Sequence, residues 1–138
     1  MTQPSTTDNG SLAEALEARE RQGRPVRVGL VGAGQMGTDI LVQTGFMRGI
    51  EVVAAADAVP ENVYTASAAG GADRRPLETV DDAAAAGRAI ARGRLAVCRS
   101  HRDVCAAEGV DVVIDATGNP NVGAEVALAA FAARRHMV

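Results

Sequence analysis

Runs of β-branched and small apolar residues alternate along this chain with stretches whose apolar positions recur every three or four residues. Val26 to Val31 is a run of the first kind that breaks abruptly into glycines, and it reads as a first strand. From Gln35 the spacing turns helical, with Met36, Ile40, Leu41, Thr44 and Met47 on one stripe and Gly49 as the stop. "EVVAAAD" is a second strand ending at Asp57. Pro60 suits a first helical turn, so Glu61 to Ala69 reads as a helix. "GGADRRP" is a loop. Thr79 and Asp82 resemble a capping box for a helix reaching about Arg92. "LAVCR" is a third strand. Ser100 caps a short helix, with Asp103 at its third position and Gly109 closing it. "DVVIDATG" is a fourth strand, read as buried. Asn119 caps the next helix, Pro120 opens it, and "HMV" begins a fifth strand.

Upstream, residues 1–10 are polar and rich in Gly, Pro, Ser and Thr, as in a flexible tail. Residues 11–24 form a short helix, with Ser11 and Glu14 as its capping box, Gly23 ending it and Pro25 blocking resumption. Strands alternating with helices imply βαβ units and a parallel sheet over residues 25–138.

Within the turn after the first strand, Gly32-Ala33-Gly34-Gln35-Met36-Gly37 is G-x-G-x-x-G. The string alone is weak evidence. Here it follows a strand, opens a helix, and has an acid, Asp57, twenty residues beyond Gly37 at the end of the next strand. That context is the fingerprint of a dinucleotide-binding, Rossmann-type α/β fold, a doubly wound parallel sheet. It is incomplete here, with about four strands and the start of a fifth. Gly32 permits the tight turn, Gly34 lets a pyrophosphate approach the backbone, and Gly37 lets helix and strand pack closely. Free N–H groups at the helix start then hold the phosphates. Asp57 accepts from ribose hydroxyls. Its charge favours NAD over NADP, because a carboxylate repels a 2′-phosphate. Arg74 and Arg75 lie on a later loop, either folding back toward such a phosphate or forming a solvated face.

The second candidate is "DATGNP", Asp115 to Pro120, after the fourth strand. Ligands of doubly wound sheets sit outside the carboxyl ends of strands, at the switch in strand order. Thr117, Gly118 and Asn119 would therefore face the nicotinamide half of the cofactor, with Asp115 bracing the loop. A plain helix cap is the alternative reading of the same residues, and both can hold together. His101 reads as an exposed residue at a helix start, His136 as a residue without a partner, and Cys98 as a core thiol. No catalytic or metal constellation emerges.

Composition narrows the classes further. Of 138 residues, 47% are apolar and only 2% aromatic, so the core is built from Val, Ile, Leu and Ala. A net charge of −3 without a basic face or stacking aromatics argues against nucleic acid. No apolar run approaches a membrane span, and the N-terminus is no signal peptide. Two cysteines seven residues apart have no metal or redox spacing, and they fit reduced thiols in a cytoplasmic protein.

"GRPVRVGLVGAGQMGTDI", "VVAAADAVPEN" and "DVVIDATGNPNVGAEVALAA" resemble the N-terminal domain of homoserine dehydrogenase-like oxidoreductases that carry a C-terminal SAF domain. Some members of that family act as a reductoisomerase on deoxyxylulose 5-phosphate. The resemblance implies an NAD(P)-binding portion of an enzyme. Hydride would pass to or from a small aldehyde, keto or hydroxy substrate held by a C-terminal domain. Relatives continue for hundreds of residues past the point matching Val138. The expectation is therefore a truncated chain that is inactive alone and self-associates. A stand-alone nucleotide-binding module, or a remnant without turnover, is the competing reading.

Overall fold

Among the described residues six parallel strands form one sheet in the order β3-β4-β2-β1-β5-β6: β1 (Val26–Val31), β2 (Ile50–Ala56), β3 (Leu77–Thr79), β4 (Leu95–Cys98), β5 (Val112–Asp115) and β6 (His136–Met137). The computed structural model describes residues 10–70 and 75–138. Most of the proposed tail and Arg74 lie outside the described residues. From β1 the chain places β2 beside it, β3 at the far edge and β4 between β3 and β2, and next places β5 on the other side of β1. The switch in strand order thus lies between β1 and β5. This is an α/β, Rossmann-like sheet.

Among the described residues α1 (Leu12–Arg21) precedes β1, and five helices connect the strands: α2 (Gln35–Thr44), α3 (Glu61–Ala69), α4 (Ala83–Ala91), α5 (His101–Ala106) and α6 (Pro120–Ala132). Leu41 of α2 and Val63 and Ala66 of α3 pack with Val28 and Leu30 on one face. Ala86 and Ala89 of α4, Val104 of α5 and Val126 of α6 pack with Val53 and Val113 on the other. Neither cluster contains an aromatic residue. Small side chains bring helices close to the sheet. At Gly29 a Cβ would stand 2.5 Å from Val104 Cγ1, so α5 lies directly on the middle of β1. Val28 pairs with Val52 but Gly29 pairs with Ala54, so Val53 is an extra residue in β2. This bulge turns Val53 and Ala54 toward the same face, where both are fully buried.

Ser11 and Glu14 form the reciprocal capping box of α1. Gly49, which has φ +74°, lies against the Leu16 carbonyl with no room for a Cβ, docking α1 onto the turn before β2.

The structure departs from the sequence reading in several places. Thr79 is not a helix cap but the end of the edge strand β3, which pairs with β4. Asp82 alone caps α4, accepting from the Ala85 N–H at 2.7 Å. The third, fourth and fifth strands of the sequence reading are accordingly β4, β5 and β6. α2 stops at Thr44 rather than Gly49, and Met36 and Met47 are exposed at 65% and 47%. Only Gly37, Leu41 and Thr44 of that helix are buried, because α3 and the sheet cover a narrower stripe than the spacing offers. β5 is not buried on both faces. Val113 is covered by the α6 side, whereas Val112 and Ile114 are half-buried.

Candidate functional site

β1 ends at Val31 and the backbone turns at once through Gly32, at φ +93°. The Gly32 N–H donates to the Ala56 carbonyl at 2.8 Å, tying the turn to the end of β2. A Cβ on Gly32 would lie 2.9 Å from the carbonyl carbon of Ala116 and from the Thr117 nitrogen, so a side chain here would push the loop after β5 away. Gly37 faces the Gly32 carbonyl so closely that no Cβ fits between them. Gly34 differs from both. Nothing stands within 4 Å of its Cβ position, and it is the N-cap of α2 with no side chain on the helix end. Space beside the start of α2 is therefore open, and the helix dipole favours an anion there.

Asp57 follows the last residue of β2. Its Oδ2 accepts from the Ala33 N–H at 2.7 Å, and its Oδ1 accepts from the Val59 N–H and Asn62 Nδ2, each at 2.9 Å. Burial pushes this carboxyl up. The bonds from Ala33, Val59 and Asn62 outweigh it and hold the group below its ordinary value. Asp57 is thus ionised at neutral pH and fixed to the glycine turn.

The loop after β5 completes the arrangement. The Ala116 N–H donates to the Val31 carbonyl at 2.7 Å, and the Thr117 N–H donates to Asp115 Oδ1 at 3.1 Å. Gly118 takes φ +66°. The Asn119 N–H donates to Thr117 Oγ1 at 3.3 Å, and Asn119 Oδ1 accepts from the N–H groups of Asn121 and Val122. Asn119 is therefore the cap of α6, and Pro120 opens that helix.

These elements enclose a cleft of about 490 Å³ at the carboxyl ends of β1, β2, β4 and β5. Of the ten sequence-predicted residues, Gly32, Gly34, Asp57, Thr117 and Asn119 line it. Ala33 and Gly37 are buried beside it, while Gln35, Met36 and Gly118 are exposed and outside its lining. Two further hollows, of about 330 and 600 Å³, touch neither the glycine turn nor Asp57. Among the described residues no group of three His, Cys, Asp or Glu side chains is placed to hold a metal. No helix there is long and apolar enough to cross a membrane.

Sequence reasoning missed Arg99, Ser100 and His101, which also line the cleft. The signal was present, since they directly follow the strand "LAVC" and every parallel strand ends at this edge. His101 is not exposed, as its side chain retains only 18% of its surface. Its Nε2 is buried without a hydrogen-bond partner, 3.9 Å from Glu125 Oε2, too far for a hydrogen bond. Ser100 Oγ is committed to capping α5, accepting from the Asp103 N–H. Arg99 pairs with Asp81 at 2.9 Å, both well exposed, so the pair contributes little.

Arg75 does not fold toward the cleft. It binds Glu51 through two nitrogens, at 3.1 and 2.7 Å, and reaches the carbonyls of Ile90 and Arg94. Glu51 sits at the start of β2 and Asp57 beyond its end, about 20 Å away along the strand. His136 is exposed at the sheet edge, in β6. Cys98 and Cys105 are buried free thiols. Burial, with the nearby Asp103 charge, pushes the Cys98 thiol up to about 12.

No protein-family model matches the chain, and no curated protein is similar to it. Solved structures are similar in fold. The chain resembles an NAD-binding protein from Listeria innocua at 24% identity and a TM-score of 0.53. It resembles an NAD binding oxidoreductase from Klebsiella pneumoniae at 20% identity and a TM-score of 0.51. The similarity covers 83% and 82% of this chain, and 26% of each of those chains.

Proposed function

We propose that this chain is the dinucleotide-binding part of an NAD(P)-dependent oxidoreductase, with NAD the preferred cofactor. The observation that carries the reading is the uncapped start of α2 at Gly34. It opens into the cleft beside an ionised Asp57 that is bonded to the same turn. Gly34 and the first-turn N–H groups of α2 would hold the pyrophosphate, and Asp57 would accept from a ribose hydroxyl. Thr117 and Asn119 would contact the nicotinamide half, with Gly118 shaping their loop. Ala33, Gln35 and Met36 contribute backbone to the turn, and Gly37 its close packing. The bound dinucleotide supplies hydride chemistry, and the protein's part is to orient it and shape the cleft around it.

Both structural relatives bear names that state NAD binding, which supports the cofactor class. Within the cleft lining, Asp57 is engaged by the turn, Arg99 by Asp81, and Ser100 by its helix, while the His101 Nε2 is buried without a hydrogen-bond partner. The substrate, a small aldehyde, keto or hydroxy compound in this reading, takes its catalytic groups from outside the engaged residues. A homoserine dehydrogenase-like enzyme with a SAF domain fits that division, as does a cytoplasmic, self-associating protein.

Calorimetric titration of the 138-residue chain with NAD⁺, NADH, NADP⁺ and NADPH tests the reading. Saturable binding of a dinucleotide, lost in Gly34→Val, is the expected result. Absence of binding by the folded wild type overturns it.

A further inference from the structure

The Asp57 carboxylate is held by three donors, of which two are backbone N–H groups, from Ala33 and Val59. The third, Asn62 Nδ2, is the one side chain among them. A carboxylate offers about four lone-pair sites, so roughly one remains, on Oδ2, for a ligand hydroxyl. Asn62 stands in the first turn of α3, next to Val63, which is fully buried in the core. Its position is therefore set by the packing of the helix on the sheet, not by the ligand.

We infer that Asn62 is a positioning residue that locks the Asp57 carboxylate in place and thereby sets discrimination between NAD and NADP. The inference rests on the dinucleotide reading above. An acid excludes a 2′-phosphate only while it cannot turn aside. With Asn62 present, rotating the carboxylate breaks three charge-assisted bonds, two of them at Oδ1, and such bonds are the strong ones. Without it, only two backbone donors remain, the Val59 N–H on Oδ1 and the Ala33 N–H on Oδ2, and no side chain braces the group from α3. The carboxylate then turns aside at the cost of two bonds rather than three, and the phosphate meets a softer barrier. Specificity of this kind is a difference of two affinities built by a repulsive element, and the element works only if it is rigid.

The test uses the whole chain as wild type, Asn62→Ala, Asp57→Ala and the double variant, each titrated with NAD⁺ and NADP⁺ and each melted thermally. The expected wild type prefers NAD⁺. Asn62→Ala lowers that preference by roughly tenfold. In the Asp57→Ala background the same substitution moves the ratio less than about twofold, because the two side chains act as one unit. Asn62→Leu, which keeps the volume and drops the donor, gives the same ratio if the alanine variant folds poorly. An unchanged ratio in both Asn62 variants overturns the inference, as does an equal effect with and without Asp57. Equal weakening of both cofactors together with a lower melting temperature also overturns it, since that is the mark of a merely structural residue. A wild type that binds both dinucleotides without preferring NAD⁺ overturns the inference and leaves the dinucleotide reading standing. A folded wild type that binds neither overturns both.

Discussion

The N–H of Ala33 donates to Asp57 Oδ2 at 2.7 Å, joining the glycine turn after β1 to the acid after β2. Two motif parts that are separate in sequence are therefore one mechanical unit. Moving either displaces the other, and each glycine in the turn has a different consequence when replaced.

Gly34→Val and Gly37→Ala should separate binding from folding. At Gly34 the Cβ position is open and φ is an ordinary −71°, so valine costs only the N-cap preference, about 1 kcal/mol. The variant should keep its circular dichroism spectrum and lose dinucleotide affinity. At Gly37 even a methyl group strikes the Gly32 carbonyl. Overpacking of this kind costs about 1–3 kcal/mol, and the variant should show it as a lowered urea midpoint. Equal stability of wild type and Gly37→Ala would refute the packing argument.

Asp57 should stabilise the fold above the ordinary carboxylate pKa and lose that contribution in acid. Its folded pKa is depressed, because the three hydrogen bonds outweigh burial. Its contribution is therefore complete above about pH 4, and it disappears as pH falls through the lower folded value. Asp57→Asn should be less stable than wild type at pH 7, with the gap closing as the pH falls below the ordinary carboxylate value. Urea denaturation across that range measures it, and a gap that widens in acid would reverse the sign.

The two cysteines should be silent in the native state. Cys98 is raised to about 12 by burial and the Asp103 charge. Cys105 is raised by burial, which the Arg135 charge opposes only in part. Neither should react with a thiol reagent at pH 8 until denaturant is added. Because the Cys98 thiol is raised, its contribution to stability is present below its ordinary value of 9.0 and is lost as pH climbs toward about 12. Fast labelling of either thiol in native protein would contradict its burial.

Asn119→Ala should act twice. It removes the side-chain acceptor from the Asn121 and Val122 N–H groups, worth about 0.5–2 kcal/mol at a helix start. It also loosens the cleft wall built from Thr117 and Asn119, so cofactor affinity should fall together with melting temperature. Asn119→Asp keeps the acceptor and should retain stability. A melting temperature equal to that of Asn119→Ala would show that the cap contributes nothing.

The sequence by itself determined whatever is local. β1, the glycine turn, α3 from Glu61 to Ala69, and the caps Ser11, Ser100 and Asn119 are legible because strand runs, turn glycines and cap hydrogen bonds span only a few residues. The parallel sense of the sheet was legible too, since strands alternating with helices admit few arrangements. The tertiary structure alone decided what depends on distant partners. Leu77–Thr79 became a strand because β4, some twenty residues on, offered backbone groups to pair with, against a local pattern that read as a cap. Met36 and Met47 obeyed helical spacing yet stayed exposed, because burial depends on how much of α2 its neighbours cover. Arg75 found Glu51 across the sheet, and His101 was covered where α6 packs on α5 with Glu125 nearby. Each of these outcomes needs a surface brought in by chain closure. A periodic pattern specifies which side of an element can be buried, and only packing specifies what arrives to bury it.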